Sequence, residues 1–367
     1  MYESITVPTL VVDSAKVRIN ASRMLDRAAR NNAVLRPHLK THQARQIGRI
    51  FRELGVTSGT VSSLTMAEYF ADDGWNDLTV AFPVNLRELD AINALAGRIC
   101  LGLLVDNPDS ARALAAGLKN PVDLWIKIDT GSHRCGLSPE EPDKVEALLA
   151  EVAGYPLIRT AGLLTHDSRT YAARGREAIS ALYHEGATAM LDLRSKLGRR
   201  GFAGLKVSIG DTPSASLVED WLGVDEARPG NFAYYDLQQV GTGACQPESV
   251  AVAVACPVVG IYPERSEAVV YGGAVHLSKQ SQPAMAEYLP GGPPDTSFGT
   301  VFRMEGEHWD GFLPGAWVRG VTQEHGMVRM QANDLSRLKV GDLLFICPVH
   351  SCLAAHALRE DTHFIGL

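Results

Sequence analysis

Apolar positions in the first two thirds of the chain alternate between two textures. Short β-rich runs lie at 9–12, 34–37, 59–62, 78–82, 100–105, 124–128, 162–164, 206–209 and 233–235. Between them, apolar residues recur at helical spacing over 15–30, 43–54, 66–72, 86–95, 109–118, 142–152 and 174–197. A short apolar run followed by an amphipathic one, repeated along the chain, predicts parallel strands joined by right-handed helical crossovers. About eight such repeats fit a closed (β/α)8 barrel of the TIM type, with an open doubly wound sheet as the alternative. Local punctuation agrees. Asp13-Ser14 precedes one helical stretch, Asp109 opens another, and Pro142 suits a first helical turn.

Beyond about Gly241 the helical period disappears. Runs at 249–261, 268–275, 300–304, 317–321, 327–330 and 342–347 read as strands, and the Gly- and Pro-rich stretch 289–297 as an exposed loop. The expected organisation is α/β: a barrel over 7–240, then an all-β domain over 241–367 that also takes residues 1–6.

Composition narrows the function classes. With 46% apolar and 21% charged residues the chain can bury a real core. Acidic residues outnumber basic ones, 42 to 35, and no Lys/Arg block stands out, which argues against nucleic-acid binding. No apolar run approaches the roughly 18 residues of a membrane helix, and residues 1–9 lack a secretory pattern. Six scattered cysteines make no disulfide framework, so the expected compartment is the reducing cytoplasm.

The richest chemistry lies at the end of an early strand, in Pro37-His38-Leu39-Lys40-Thr41-His42. Residues at strand C-termini of a parallel barrel face the active-site mouth. A lysine there is a nucleophile when burial or neighbouring cations lower its pKa; elsewhere it is an ordinary solvated charge. This motif resembles the cofactor-lysine motif of the D-threonine aldolase and D-serine dehydratase family. That family belongs to the alanine-racemase-like, fold type III class of pyridoxal 5′-phosphate (PLP) enzymes, a β/α barrel followed by a β domain. The resemblance recurs at spaced points over nearly the whole chain. It implies that Lys40 binds PLP covalently and shuttles the substrate α-proton.

Further segments carry the same resemblance. Ser208-Ile209-Gly210-Asp211-Thr212 and Arg228-Pro229-Gly230-Asn231 look like the family's phosphate loops, with Gly210, Thr212, Gly230 and Asn231 as cofactor-binding residues. Glycine lets the backbone approach an anion, and successive N–H groups cradle it. Lys127-Ile128-Asp129-Thr130-Gly131-Ser132-His133-Arg134 resembles a stretch after a middle barrel strand. Its Arg134 faces the cofactor or a substrate carboxylate, or else forms a structural ion pair. His166 and Tyr171 match a strand-end His and a following Tyr, but Arg169 and Thr170 stand where family members often place a second His. That departure puts a simple aldolase base in doubt.

Near the C-terminus, Cys347-Pro348-Val349-His350-Ser351-Cys352 places His350 and Cys352 two residues apart, which on an extended strand puts them on one side. Imidazole and thiolate both suit zinc. A His-x-Cys pair alone is a weak signal, but it resembles the family's motif for a divalent ion, implying zinc, with manganese or cobalt as alternatives. Gln323-Glu324-His325-Gly326 resembles a neighbouring element whose acid or imidazole orients a ligand. The resemblance implies a PLP- and metal-dependent lyase on D-3-hydroxy amino acids. Dehydration of D-serine to pyruvate and ammonia stands slightly ahead of retro-aldol cleavage of D-threonine. Amino-acid racemase and non-catalytic PLP carrier are the rivals. Its partners are a small D-amino acid and, as a homodimer, a second copy; no nucleic acid or membrane is expected.

Overall fold

The computed structural model describes residues 2–283 and 296–366, so most of the expected 289–297 loop lies outside the described residues. The chain divides into two compact units. One comprises Ser22–Lys40 and Gly48–Gly230; the other comprises Met1–Ala21, Thr41–Ile47 and Asn231–Leu367.

Strand β1 (Thr9–Asp13) belongs to the second unit. The first unit is built on β2 (Val34–Leu35), β3 (Gly59–Val61), β4 (Asp77–Pro83), β5 (Cys100–Val105), β6 (Val122–Lys127), β7 (Ile158–Thr165), β8 (Lys206–Ile209) and β9 (Glu226–Ala227). All pair in parallel, in the order β2-β9-β8-β7-β6-β5-β4-β3. An isolated parallel bridge between His38 and Thr60 joins the chain after β2 to β3, bringing the two ends of the row together as in a TIM barrel. The strands read as nearly continuous apolar runs because helices cover the sheet's outer face. The helix Pro108–Gly117 has Asn107 as its cap, accepting from Ser110 N, with Pro108 in its first turn; the cap is thus not Asp109. Pro142 opens its helix as expected.

One glycine shapes the barrel. Gly162 lies at a register shift between β6 and β7, and a Cβ there would sit 2.1 Å from Lys206 O. Only a residue without a side chain lets β8 pair at that point.

The second unit continues with β10 (Val252–Tyr262), β11 (Glu267–Tyr271), β12 (Gln282–Pro283), β13 (Thr296–Ser297), β14 (Gly299–Glu305), β15 (His308–Val321), β16 (His325–Arg329), β17 (Leu343–Pro348) and β18 (Thr362–Ile365). Its main sheet runs β11-β16-β15-β14-β17-β10-β1-β18. All its pairings are antiparallel except β1 with β18.

Two expectations are corrected. The strand at 9–12, counted among the barrel repeats, completes the antiparallel sheet instead, with all five β1 residues buried. The strand at 233–235 is absent. Asn231–Ala233 form a helical turn, Asn231 O accepts from Tyr234 N, and Tyr235 has φ of 51°. The aromatic run has strand propensity, but Pro229 supplies no N–H and the turn takes over. The last barrel strand is the two-residue β9, too short to show a period.

Candidate active site

Within the barrel unit, strand ends and the loops after them surround a cavity of about 380 Å³. Lys40 follows β2, Ser62 follows β3, and Ala81, Phe82 and Pro83 end β4. Leu104 and Lys127 come from β5 and β6, Arg134 and Cys135 from the loop after β6, Leu164 and His166 from β7 and its end, and Arg228 from beyond β9. Of the residues expected to act, Lys40, Arg134 and His166 therefore line one space. Four cations border it, and among the described residues no Asp or Glu does.

Lys40 sits in the one-turn helix Leu39–Thr41, and its backbone N lies 3.4 Å from His38 Nδ1. Among the described residues, the Arg134 guanidinium makes no hydrogen bond or ion pair. The loop that carries it is well anchored. Asp129 Oδ1 accepts from the N–H groups of Gly131, Ser132 and His133 at 2.8–3.2 Å. Burial works against its charge, but these donors hold the Asp129 carboxyl below its usual range. Ser132 Oγ donates to His166 O at 3.0 Å, tying this loop to the next.

Arg169, which replaces a histidine in the resemblance, is committed elsewhere. It pairs with Asp167 at 2.7 Å and Glu185 at 3.0 Å and donates to Thr130 O at 2.9 Å. A Cβ on Gly131 would lie 2.8 Å from Arg169 Cζ, so the guanidinium rests directly on that glycine.

His166 donates from Nδ1 to Gly210 O. Burial, with Lys40 and Arg134 nearby, pushes its pKa down to about 3, so the ring is neutral and Nε2 is its acceptor. Tyr171 lies beside it, ring centroids 6.1 Å apart, and its hydroxyl accepts from Thr212 N at 3.3 Å. Gly210 packs so tightly that a Cβ would meet Arg228 Cβ and O at 2.9 Å. Thr212 Oγ1 is buried with no hydrogen-bond partner. An orphaned hydroxyl beside a glycine cradle fits an anionic group such as the PLP phosphate. Gly230 is half-buried two residues after Arg228.

Lys127 and Arg228 head two of the quoted motifs but were given no role of their own in the sequence. Lys127 ends β6 and donates from Nζ to Ile128 O; burial brings its pKa down to about 8. Arg228 donates to Ser208 Oγ and Thr165 O, and burial lowers its pKa to about 10, leaving it charged at neutral pH. The available signal was position, since both stand where a parallel strand meets its loop.

In the second unit, Asn231 Nδ2 donates to Asp236 Oδ2 at 2.6 Å and Ser351 Oγ at 3.1 Å, while its Oδ1 is buried without a partner. His350 and Cys352, expected to bind metal from an extended strand, are not on one. Pro348 ends β17, His350 is the N-cap of the helix Ser351–Ala357, and Cys352 lies in its first turn. Asp236 draws the chain out of the sheet by accepting from Ser351 N at 2.9 Å. His350 Nδ1 donates to Gln280 Oε1 at 2.9 Å, which leaves the lone pair on Nε2. Cys352 Sγ lies 3.3 Å from Thr41 Oγ1 and 3.7 Å from Asn231 Nδ2. Among the described residues, no group of three or more His, Cys, Asp or Glu is arranged to hold a metal. The donor chemistry of His350 and Cys352, imidazole and thiolate, fits a divalent ion. Glu324 lies 3.8 Å from His276, and His325 opens β16 with Thr322 Oγ1 at 3.3 Å. Cys347 is buried in β17, and burial pushes its thiol up.

A parallel barrel with a lysine-bearing cationic cavity at its strand ends, followed in the chain by an antiparallel sheet, defines the fold type III class of PLP enzymes. Residues 12–238 match the family described as alanine racemase, N-terminal domain, and residues 251–361 match a putative serine dehydratase domain. The chain belongs to this alanine-racemase-like family. It is 29% identical to D-threo-3-hydroxyaspartate dehydratase of Delftia sp. (strain HT23), covering 95% of this chain and 91% of that one. It is 30% identical to D-serine dehydratase of Dictyostelium discoideum, covering 99% and 94%. The solved Delftia structure superposes with a TM-score of 0.87 at 28% identity, covering 96% and 93%. Among the described residues, no helix is long and apolar enough to cross a membrane.

Proposed function

We propose that this chain is a PLP-dependent lyase that removes water from D-3-hydroxy amino acids, converting D-serine to pyruvate and ammonia. The observation that carries the reading is that Lys40, Arg134 and His166, from three separate motifs, line one cavity together with Lys127 and Arg228. Residues 7–240 supply the cofactor site, with Lys40 as covalent anchor and Gly210, Thr212 and Gly230 receiving the phosphate. The β domain, 241–367 with residues 1–6, supplies the metal pair.

PLP, when bound, supplies an electron sink for charge developing at Cα. The Lys40 amine takes the α-proton. Arg134, with no partner among the described residues, is placed to hold a substrate carboxylate. His166 stays neutral, its ring orientation set by Gly210 O, with Tyr171 beside it. His350 and Cys352 are the residues that would hold a divalent ion, zinc by donor type, which would supply Lewis-acid polarisation of a hydroxyl. The enzyme works as a cytoplasmic homodimer. None of the six cysteines forms a disulfide, which suits a reducing compartment.

The four cations lining the cavity favour a second reading, a substrate with a second carboxylate such as D-threo-3-hydroxyaspartate. Product analysis of PLP-loaded protein, with and without a chelator, decides between them. Keto acid and ammonia from D-serine, lost on chelation, support the first reading. A preference for the hydroxyaspartate supports the second. Glycine and acetaldehyde from D-threonine, or enantiomer exchange insensitive to chelator, would overturn both. A monomer mass at micromolar concentration refutes the dimer.

A further inference from the structure

A β/α barrel interior is ordinarily filled by branched apolar side chains. Here a chain of polar groups crosses part of it. Glu226, at the start of β9, accepts Arg36 Nε at 2.7 Å on one carboxylate oxygen and the Ser208 hydroxyl at 2.5 Å on the other. A carboxylate only accepts, so the Ser208 proton must point at Glu226. The serine oxygen is thereby left to accept from Arg228 Nη1, as observed. Arg228 Nη2 is held separately by Thr165 O, so the guanidinium plane is fixed at two points.

The charges balance as well. Arg36 clasps Asp77 through Nη1 and Nη2 at 2.7 and 3.0 Å, which gives two guanidiniums against two carboxylates. Glu226, Ser208, Arg36 and Arg228 are all buried. Of these groups, Arg228 is the one that lines the cavity. An isolated buried cation would be costly, whereas a hydrogen-bonded and compensated one is stable and oriented.

We propose that Glu226, acting through Ser208, is a positioning residue for the cofactor site: it fixes the plane of Arg228 and compensates its charge, so that bound PLP meets one cation in one orientation. This rests on the reading of the cavity as a PLP site. Without the relay, the Ser208 hydroxyl is free to turn its proton toward Arg228, and the guanidinium loses an acceptor. The competing account makes Glu226 only a cross-strand partner for Arg36.

The test titrates PLP into wild type, Glu226→Gln, Ser208→Ala and Asp77→Asn, reading the dissociation constant, the pH dependence of the visible band and the melting temperature. Glu226→Gln and Ser208→Ala are expected to weaken PLP binding by about tenfold each, the worth of a charge-assisted hydrogen bond. Glu226→Gln also removes an anion, so the midpoint of the band's pH titration moves down by about one unit. Asp77→Asn loosens Arg36 without touching Ser208, so it lowers the melting temperature and moves the PLP readouts by much less than Glu226→Gln does. A Ser208→Ala protein with wild-type affinity and titration overturns the proposal, as do equal shifts in all three variants. If Glu226→Gln fails to fold, Ser208→Ala decides alone. Wild-type protein that takes up no PLP refutes the site reading and this proposal together, a result visible before any variant is made.

Discussion

The Nδ1 proton of His166 is given to the carbonyl oxygen of Gly210, which joins the end of β7 to the loop after β8. Because burial and neighbouring cations bring this imidazole down to about 3, it carries no charge through the physiological range. A pH–rate profile should therefore show no ionisation from His166 near 6.5. His166→Asn keeps a donor but loses the basic nitrogen. If turnover needs the ring nitrogen, kcat should fall by about 10²-fold or more; an unchanged kcat would remove His166 from the catalytic set.

His42 makes the acid side of stability testable. It is buried, and burial lowers its pKa to about 3. The unfolded chain binds a proton near the ordinary histidine value and the folded chain does not. Stability is therefore full above about 6.5 and declines toward 3, by about 1.4 kcal/mol per pH unit for this residue. Asp211 acts in the opposite sense over part of the range, since burial raises it to about 6. Melting temperatures of wild type and His42→Gln at pH 7 and pH 5 isolate the histidine. The variant should lose less on acidification, and equal losses would refute the assignment.

Two lysines reach the cavity, and their environments differ. Lys127 is buried, lowered to about 8 and bonded to Ile128 O; Lys40 is exposed on a turn after β2. Borohydride reduction of the PLP-loaded protein followed by peptide mapping should place the label on Lys40. Lys40→Ala should take up no covalent label and lose more than about 10³-fold in rate, since it removes a covalent participant. Label on Lys127 would transfer the anchor to β6.

Gly162 and Gly131 each sit where a side chain would collide. Gly162→Ala forces a Cβ onto Lys206 O and should cost about 3 kcal/mol or more, enough to impair folding of the barrel. Gly131→Ala, at φ of 123° and against Arg169, should cost about 1–2 kcal/mol and displace the Arg134 loop. Urea denaturation measures both, and a neutral Gly162→Ala would contradict the β7–β8 pairing.

Metal content separates His350 and Cys352 from a structural pair. Purified wild type should carry about one divalent ion per chain by elemental analysis. His350→Ala and Cys352→Ala should each lose it and keep PLP. Metal retained in both variants would place the ion elsewhere.

The sequence was most legible where a pattern was long. The helices 142–152 and 174–197 and the sheet strands at 300–304 and 342–347 appear within a few residues of expectation. Short elements escaped it. The two residues of β9 carry no period, so Glu226 and its relay were invisible, and the aromatic run ending in Tyr235 imitated a strand. At the site, motif residues drew attention to Lys40, Arg134 and His166, whereas Lys127 and Arg228 matter through where their strands end. The strand reading of His350 and Cys352 failed because Pro348 and Asp236 impose a helix start, which alternation of apolar residues does not encode.

Strand β1 lies between β10 and β18, and β18 comes from the far end of the chain. β1 is synthesised before every other strand of its sheet and β18 after all of them. The barrel strands β2–β9 are all available long before, so assembly is expected to be vectorial: barrel early, sheet late. Until β10 and then β18 are made, the five residues of β1, all buried in the finished protein, lack their strand neighbours and stay exposed as an apolar segment. A premature stop before residue 362 would leave β1 as a bare sheet edge, and truncated products should aggregate or be held by chaperones.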